Sequence, residues 1–325
     1  MNPALVEVVR SGFVESVHHG ALVVLAPDGS VRLAVGDVDR PVYPRSSNKP
    51  LQALGMLRAG LEVDDADLAF ASGSHNGEPA QVQRCLDMLA RHGLDESALA
   101  CPADYPLHEA SRIDAVRAGG KRRSMMNCSG KHAAMISTCV TRGWQVEGYQ
   151  DEKHELQRVI ADTISDLAGE PIAATGVDGC GAALMAFSLT GLARAFSRLV
   201  TAPGGDERRV ADAMRAHPWL VGGSGREDTM LMLSVPGLLA KGGAEGVHAI
   251  ALPDGTAVAL KVDDGGQRAR NPLLVAALRA LGAFPSNPAA ASVLTGMGDG
   301  YGDVFGGGRP VGVLRVLPSV FAPLS

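Results

Sequence analysis

Short β-rich runs at both ends of this 325-residue chain enclose a middle in which apolar residues recur at helical spacing, and few folds satisfy that order. Val6, Val8 and Val9, then Val14 and Val17, then Ala21 to Leu25 read as strands, and Pro27-Asp28-Gly29 turns the chain into a returning strand at Val31 to Val35. Near the other end, Leu239 to Val247 and Ala257 to Val262 read as strands joined by a Pro253-Asp254-Gly255 turn. Between them the spacing predicts helices over 63–70, 79–92, 152–167, 183–200 and 206–216, with another opening near Cys128 and running to about Val140. Segment 101–124 reads as irregular. A helix at 271–282 and a glycine-rich tail from Gly296 to Gly308 follow. This order predicts an α+β fold, in which the chain ends pair into an antiparallel sheet flanked by helices. With 46% hydrophobic residues there is enough apolar material for one domain over residues 1–325.

Composition removes several function classes. A net charge of −5, 4% aromatic residues and no basic stripe argue against nucleic acid as a partner. No apolar run approaches the roughly 20 residues that span a bilayer. The N-terminus lacks the basic start and apolar core of a signal peptide. The chain therefore reads as soluble and cytoplasmic, with no membrane partner. Its five cysteines are an odd number and too sparse for a disulfide framework, so they read as free thiols or metal ligands.

The stretch Pro44 to Gln52 carries the first chemical signal. Ser46 and Lys49 have the S-x-x-K spacing of serine acylases, in which a hydroxyl attacks a carbonyl and a neutral lysine helps remove its proton. A helix opening at Ser46 would put Lys49 one turn later on the same face, with a positive dipole end beside a developing oxyanion. The plain alternative is an N-cap serine followed by an exposed lysine.

Four further stretches follow in order: Ser72-Gly73-Ser74-His75-Asn76-Gly77-Glu78, Met126-Asn127-Cys128-Ser129-Gly130-Lys131-His132, Asp178-Gly179-Cys180-Gly181, and Lys241-Gly242-Gly243-Ala244-Glu245-Gly246-Val247. Together with Arg45 to Gln52 they resemble the bacterial asparaginase II family, zinc-containing amidohydrolases of the type found in rhizobia. That family is similar in fold to serine β-lactamases and serine-dependent glutaminases. The resemblance implies that Ser46 is the nucleophile and Lys49 its partner. It makes Ser74 a second active-site serine working with a distant lysine, assigned to Lys241 because Lys-Gly-Gly resembles the K-T-G strand motif, with Lys261 as the fallback. It also implies a zinc site of Cys128, Lys131 and Cys180, with Asp178 close to the metal, and a homodimer. The chain departs from the family in three places. Gly242 supplies no hydroxyl, and Ala133-Ala134 and Ala182-Ala183 stand where the family has a glycine and a proline.

Each assignment has a physical counterpart. Two Ser–Lys pairs in one pocket would favour mixed protonation, because one ammonium disfavours the next. Arg45 suits bidentate binding of a substrate carboxylate, and Asp178 suits an ammonium or a turn. His75 and Asn76 are expected to line the pocket. Two thiolates suit zinc, although ligand chemistry alone prefers His132 to Lys131 as the third donor. Both cysteines could equally be buried small side chains. The expected activity is hydrolysis of L-asparagine to L-aspartate and ammonia through a serine ester. Alternatives are a glutaminase or another amide or β-lactam hydrolase, a hydrolase using zinc-bound water, and a non-catalytic zinc or amino-acid binding module.

Overall fold

The computed structural model describes residues 1–300 and 304–324. Its strands are Ala4–Arg10 (β1), Phe13–Leu25 (β2), Val31–Val35 (β3), Ala174–Val177 (β4), Ala183–Ala186 (β5), Leu239–Gly242 (β6), Val247–Ala251 (β7), Ala257–Val262 (β8), Val304–Gly306 (β9) and Arg309–Val316 (β10). The helices are Lys49–Arg58 (α1), Asp65–Ala71 (α2), Pro79–Ala90 (α3), Glu109–Arg117 (α4), Ser129–Arg142 (α5), Glu155–Ala168 (α6), Leu189–Thr201 (α7), Gly205–Ala216 (α8), Pro218–Val221 (α9), Glu227–Ser234 (α10), Arg270–Ala280 (α11) and Pro288–Thr295 (α12). The fold is α+β, as the strand–helix–strand order predicts.

The main sheet runs β6-β7-β8-β2-β1-β10-β9, with β3 added beside β2, and every pairing in it is antiparallel. Both chain ends meet in it, with Val6 opposite Val316. The 13-residue β2 holds the sheet together. Its first half pairs with β1 (Val8 opposite Ser16), and its second half lies between β3 and β8, with Leu22 opposite both Val35 and Leu260. The whole of β7 is buried, so its sequence shows no in–out alternation. Helix α7 covers β2, β7 and β8, and its N-terminus is capped by Ser188, whose Oγ accepts from the Gly191 N–H at 2.8 Å. Buried apolar side chains form one continuous cluster from Leu5 to Phe321.

Four segments differ from their sequence reading. The strand expected over Leu239 to Val247 is β6, which ends at Gly242, and the opening of a second strand, β7. Residues 243–246, without strand geometry, separate the two, so the Pro253-Asp254-Gly255 turn joins β7 to β8. The helix expected over 183–200 is two elements, because β5 ends before the Ser188 cap; Ala183–Ala186 is buried throughout and carries no period of its own. Segment 101–124 contains α4, whose Ile113 and Val116 point to solvent, so no apolar stripe marks it. The glycine-rich tail contains β9, and β10 follows it directly; residues 301–303 of that tail lie outside the described residues.

Gly20 sits where β2 passes from β1 to β8, and a Cβ there would lie 2.3 Å from the Lys261 carbonyl oxygen and 2.9 Å from Leu5 Cδ1. Gly20→Ala is expected to destabilise the protein by about 1–3 kcal/mol, as overpacking does. Urea unfolding reads this directly, and an unchanged midpoint would contradict the tight β2–β8 approach.

Candidate active site

Ser46 lies in a tight 3₁₀ turn, Arg45–Asn48, before α1 begins at Lys49 with Pro50 in its first turn. The turn is closed by Ser47, whose N–H and Oγ both donate to the Pro44 carbonyl, at 3.1 and 2.6 Å. Arg45, immediately before the serine, has left-handed backbone geometry (φ 53°), unusual for a side chain of its size. The N-cap alternative fails on two counts: no side-chain cap bond forms, and Lys49 is fully buried.

Lys49 Nζ donates to the Gly73 carbonyl at 2.5 Å and lies 2.9 Å from Ser74 Oγ. The adjacent loop is held by backbone bonds from Ser74 N–H to Val221 O (2.7 Å) and from His75 N–H to Asn127 O (3.1 Å). Ser46 and Ser74 line one cavity of about 280 Å³, together with Asn127, Arg226, Gly243 and Arg270. The pairing differs from the expected one, since Lys49 bonds the second serine. Lys241 bonds neither serine: its Nζ sits 2.6 Å from Asp228 Oδ2 and 2.8 Å from the Gly242 carbonyl. Lys261 donates to the carbonyls of Glu245 and Val262 and faces a different cavity.

His75 and Asn76 brace the site instead of lining it. His75 is completely buried against Phe70; its Nδ1 accepts from the Gly77 N–H, so its Nε2 donates to Ser129 Oγ at 2.8 Å. Burial, then the charges of Lys49 and Arg226, lower its pKa to about 3, which keeps the ring neutral. Asn76 Nδ2 donates to Ser224 O at 2.9 Å, and its Oδ1 accepts from Arg226 at 3.2 Å.

Arg45 and Asp178 are brought together, with Nε to Oδ1 at 2.6 Å. Arg45 also lies 3.8 Å from Glu245. It lines a larger cavity of about 940 Å³, with Arg40, Tyr43, Val177 and Lys261, and not the cavity lined by Ser46 and Ser74. The other oxygen of Asp178 lies 3.4 Å from Cys180 Sγ, and Lys131 Nζ lies 3.3 Å from the same sulfur. Cys128 and Cys180 share a hydrogen bond that holds Cys180 toward the thiolate and Cys128 toward the thiol. Burial pushes the Lys131 pKa down, but the charges of Cys180 and Cys128 outweigh it and raise it. His132 Nδ1 is bonded to Tyr149 Oη at 2.7 Å, and the ring also interacts with Cys180, which favours the Cys180 thiolate. Among the described residues no three His, Cys, Asp or Glu side chains form a metal-binding group. Within the expected donor set Cys128, Lys131 and Cys180, the Lys131 nitrogen and Cys180 sulfur, 3.3 Å apart, are spaced as neighbouring ligands of one zinc ion with bonds of about 2.0–2.3 Å. Loading would require Lys131 to lose its proton.

Sequence reasoning missed the Arg226-Glu227-Asp228 run. Arg226 donates to the Ser74 carbonyl at 3.3 Å, Glu227 pairs with Arg270, and Asp228 receives Lys241 and the Gly242 N–H. Charge alternation inside a glycine-rich stretch was the available signal. Ser74-His75-Asn76 also has the S-x-N spacing that accompanies S-x-x-K and K-T-G in serine acylases.

The family described as L-asparaginase II matches residues 6–314. No curated protein sequence matches this chain significantly. Among solved structures, a β-lactamase from Mycobacterium bovis is similar at 16% identity and a TM-score of 0.41, over 85% of this chain and 93% of that one. A protein described as Mglu in its native form is similar at 15% identity and a TM-score of 0.42, over 82% of this chain and 64% of its own. EstCE1, a hydrolase with promiscuous acyltransferase activity, is similar at 13% identity and a TM-score of 0.34, over 80% and 88%.

Gly243 lets β6 meet the serine turn, since a Cβ there would lie 2.5 Å from Pro44 O and 3.2 Å from Ser46 N. Gly243→Ala is expected to lower kcat by roughly 100-fold through displacement of Ser46, with a smaller effect on stability. Turnover and unfolding measured on one preparation check it; unchanged turnover would contradict the close approach.

Proposed function

The chain belongs to the L-asparaginase II family, and from that premise we propose that it hydrolyses L-asparagine to L-aspartate and ammonia through an ester on Ser46. Membership makes it an amidohydrolase. The observation that carries the finer reading is the shared cavity of about 280 Å³, which holds two serines over a buried lysine and is sized for a small amino acid.

In this reading Ser46 Oγ attacks the side-chain amide carbon. Its proton passes by way of Ser74 Oγ to Lys49 Nζ, whose amine must be uncharged at that step. The helix start that follows Ser46 stabilises the oxyanion. As the C–N bond breaks, the proton returns to the departing nitrogen and ammonia leaves. Water then adds to the ester, and Ser46 recovers a proton by the same route. The charged groups that line the serine cavity, Arg226 and Arg270 with Glu227, are the ones placed to receive the substrate's α-carboxylate and α-ammonium; Arg45 and Asp178 are bonded to each other and are not part of that lining.

One observation favours a second version. Because Lys49 bonds Ser74 directly, Ser74 itself can be the nucleophile, with Ser46 positioning the amide. Glutamine is the nearest competing substrate, and one methylene changes discrimination by only about 1–3 kcal/mol.

The zinc-containing, rhizobial type is part of the proposal. Cys128, Lys131 and Cys180 would hold the ion, which when bound supplies a fixed positive charge beside Asp178. The family homodimer is proposed with it.

Ammonia release from asparagine and glutamine, compared for the wild type, Ser46→Ala and Ser74→Ala, tests the reading. Asparagine turnover is expected to exceed glutamine turnover and to fall by at least roughly 1,000-fold in Ser46→Ala. Persistence there with loss in Ser74→Ala would move the nucleophile, and no release from wild type would overturn the asparaginase reading. Elemental analysis is expected to find about one zinc per chain, lost in Cys180→Ala; a metal-free wild type would exclude the zinc site.

A further inference from the structure

Two lysines, Lys49 and Lys241, are buried and bonded to residues that line one small cavity, Ser74 and Gly242, and their other partners differ. Lys49 has a carbonyl and a hydroxyl. Lys241 has a carboxylate, Asp228, at 2.6 Å with both side chains at most 2% exposed. Asp228 also receives the Gly242 N–H at 2.7 Å, which fixes it to the strand that carries Lys241. We propose that Asp228 is a positioning residue that assigns the two lysines opposite roles: it holds Lys241 as a permanent cation at the cavity wall, and Lys49 is left as the amine that exchanges protons with the serines. This rests on the serine chemistry proposed above and adds a division of labour to it.

The surroundings agree. Asp228 opens α10, where the helix dipole favours a carboxylate, and its charge is held well below the usual carboxylate range because Lys241 and His248 outweigh its burial. For Lys241, burial lowers the pKa, Asp228 opposes this, and Lys49 and Arg226 lower it further. The remaining charged neighbours, Glu227 and Arg270, neutralise one another, and His248 faces Asp228 at 3.2 Å. Removing the Asp228 charge therefore leaves Lys241 with cations and no buried anion of its own. Its proton is then lost at lower pH. The structure thus makes Lys241 a cation only as long as Asp228 is ionised.

The test uses the pH dependence of serine labelling by a fluorophosphonate, which needs no amide substrate, together with ¹⁵N resonances of the lysine amines to read ionisation. Asp228→Asn is expected to move the alkaline limb of labelling down by about one to two pH units, the usual effect of losing one close opposite charge. Lys241→Arg, which cannot give up its proton, is expected to keep at least roughly a tenth of the wild-type labelling rate at neutral pH, whereas Lys241→Gln loses about 100-fold or more. Lys49→Arg is expected to be inert. Lys241→Arg as inactive as Lys241→Gln while still folded by circular dichroism, or a Lys241 amine that is neutral in the wild type, would overturn the proposal. If labelling follows this pattern while asparagine is not hydrolysed, the division of labour stands and the asparaginase reading falls.

Discussion

Burying two lysine amines in the core around one cavity is the constraint from which the site is built. A buried ammonium without partners costs several kcal/mol, and a second one nearby adds repulsion. The surrounding sequence answers each separately. Gly73 and Ser74 turn oxygens toward Lys49, and the start of α10 delivers Asp228 to Lys241. The loop carrying Ser74, the strand carrying Lys241 and the turn carrying Ser46 are thereby held in one place. Arg226 and Arg270, with Glu227 between them, close the outer wall.

The α+β architecture was legible because alternation and valine-rich runs mark β1, β2, β3 and β8 at the two ends, and 3.6-residue spacing marks α3, α5 and α6 between them. What escaped had no periodic signal of its own. Ala183–Ala186 is buried on all sides, α4 exposes its apolar residues, and β10 follows a run of glycines. At the site, Lys49, Ser74 and Lys241 are buried, and their partners differ from the expected ones: Lys49 meets Ser74 and Lys241 meets Asp228. S-x-x-K spacing fixes which residues share a helical turn, but which hydroxyl the amine reaches depends on a loop some 25 residues away. Long-range pairings of this kind leave no spacing in the sequence. For the same reason the charge alternation around Asp228 marks the stretch but does not name Lys241 as its partner.

A second polar chain ties the serine turn to the cysteines. Arg45, whose left-handed backbone sets the direction of Ser46, grips Asp178; Asp178 borders Cys180; and Cys180 borders Lys131 on α5. The Cys180 sulfur is therefore two side-chain contacts from Arg45, which is itself part of the turn that carries Ser46. A cation held at that cluster, as proposed above, would reach the Ser46 turn through Asp178 and Arg45.

The close packing of the serine turn on the end of β6 also has a meaning in time. Pro44 and Ser46 meet Gly243 only after nearly 200 further residues have been made, which at ordinary synthesis rates of about 5–20 residues per second is roughly 10–40 s. During that interval the S-x-x-K turn exists without the wall that gives it a cavity, and Lys49 has no finished interior to enter. On the proposed chemistry, a growing chain therefore has no assembled serine cavity during that interval on its ribosome. That cavity arrives late, as a property of the nearly complete sheet.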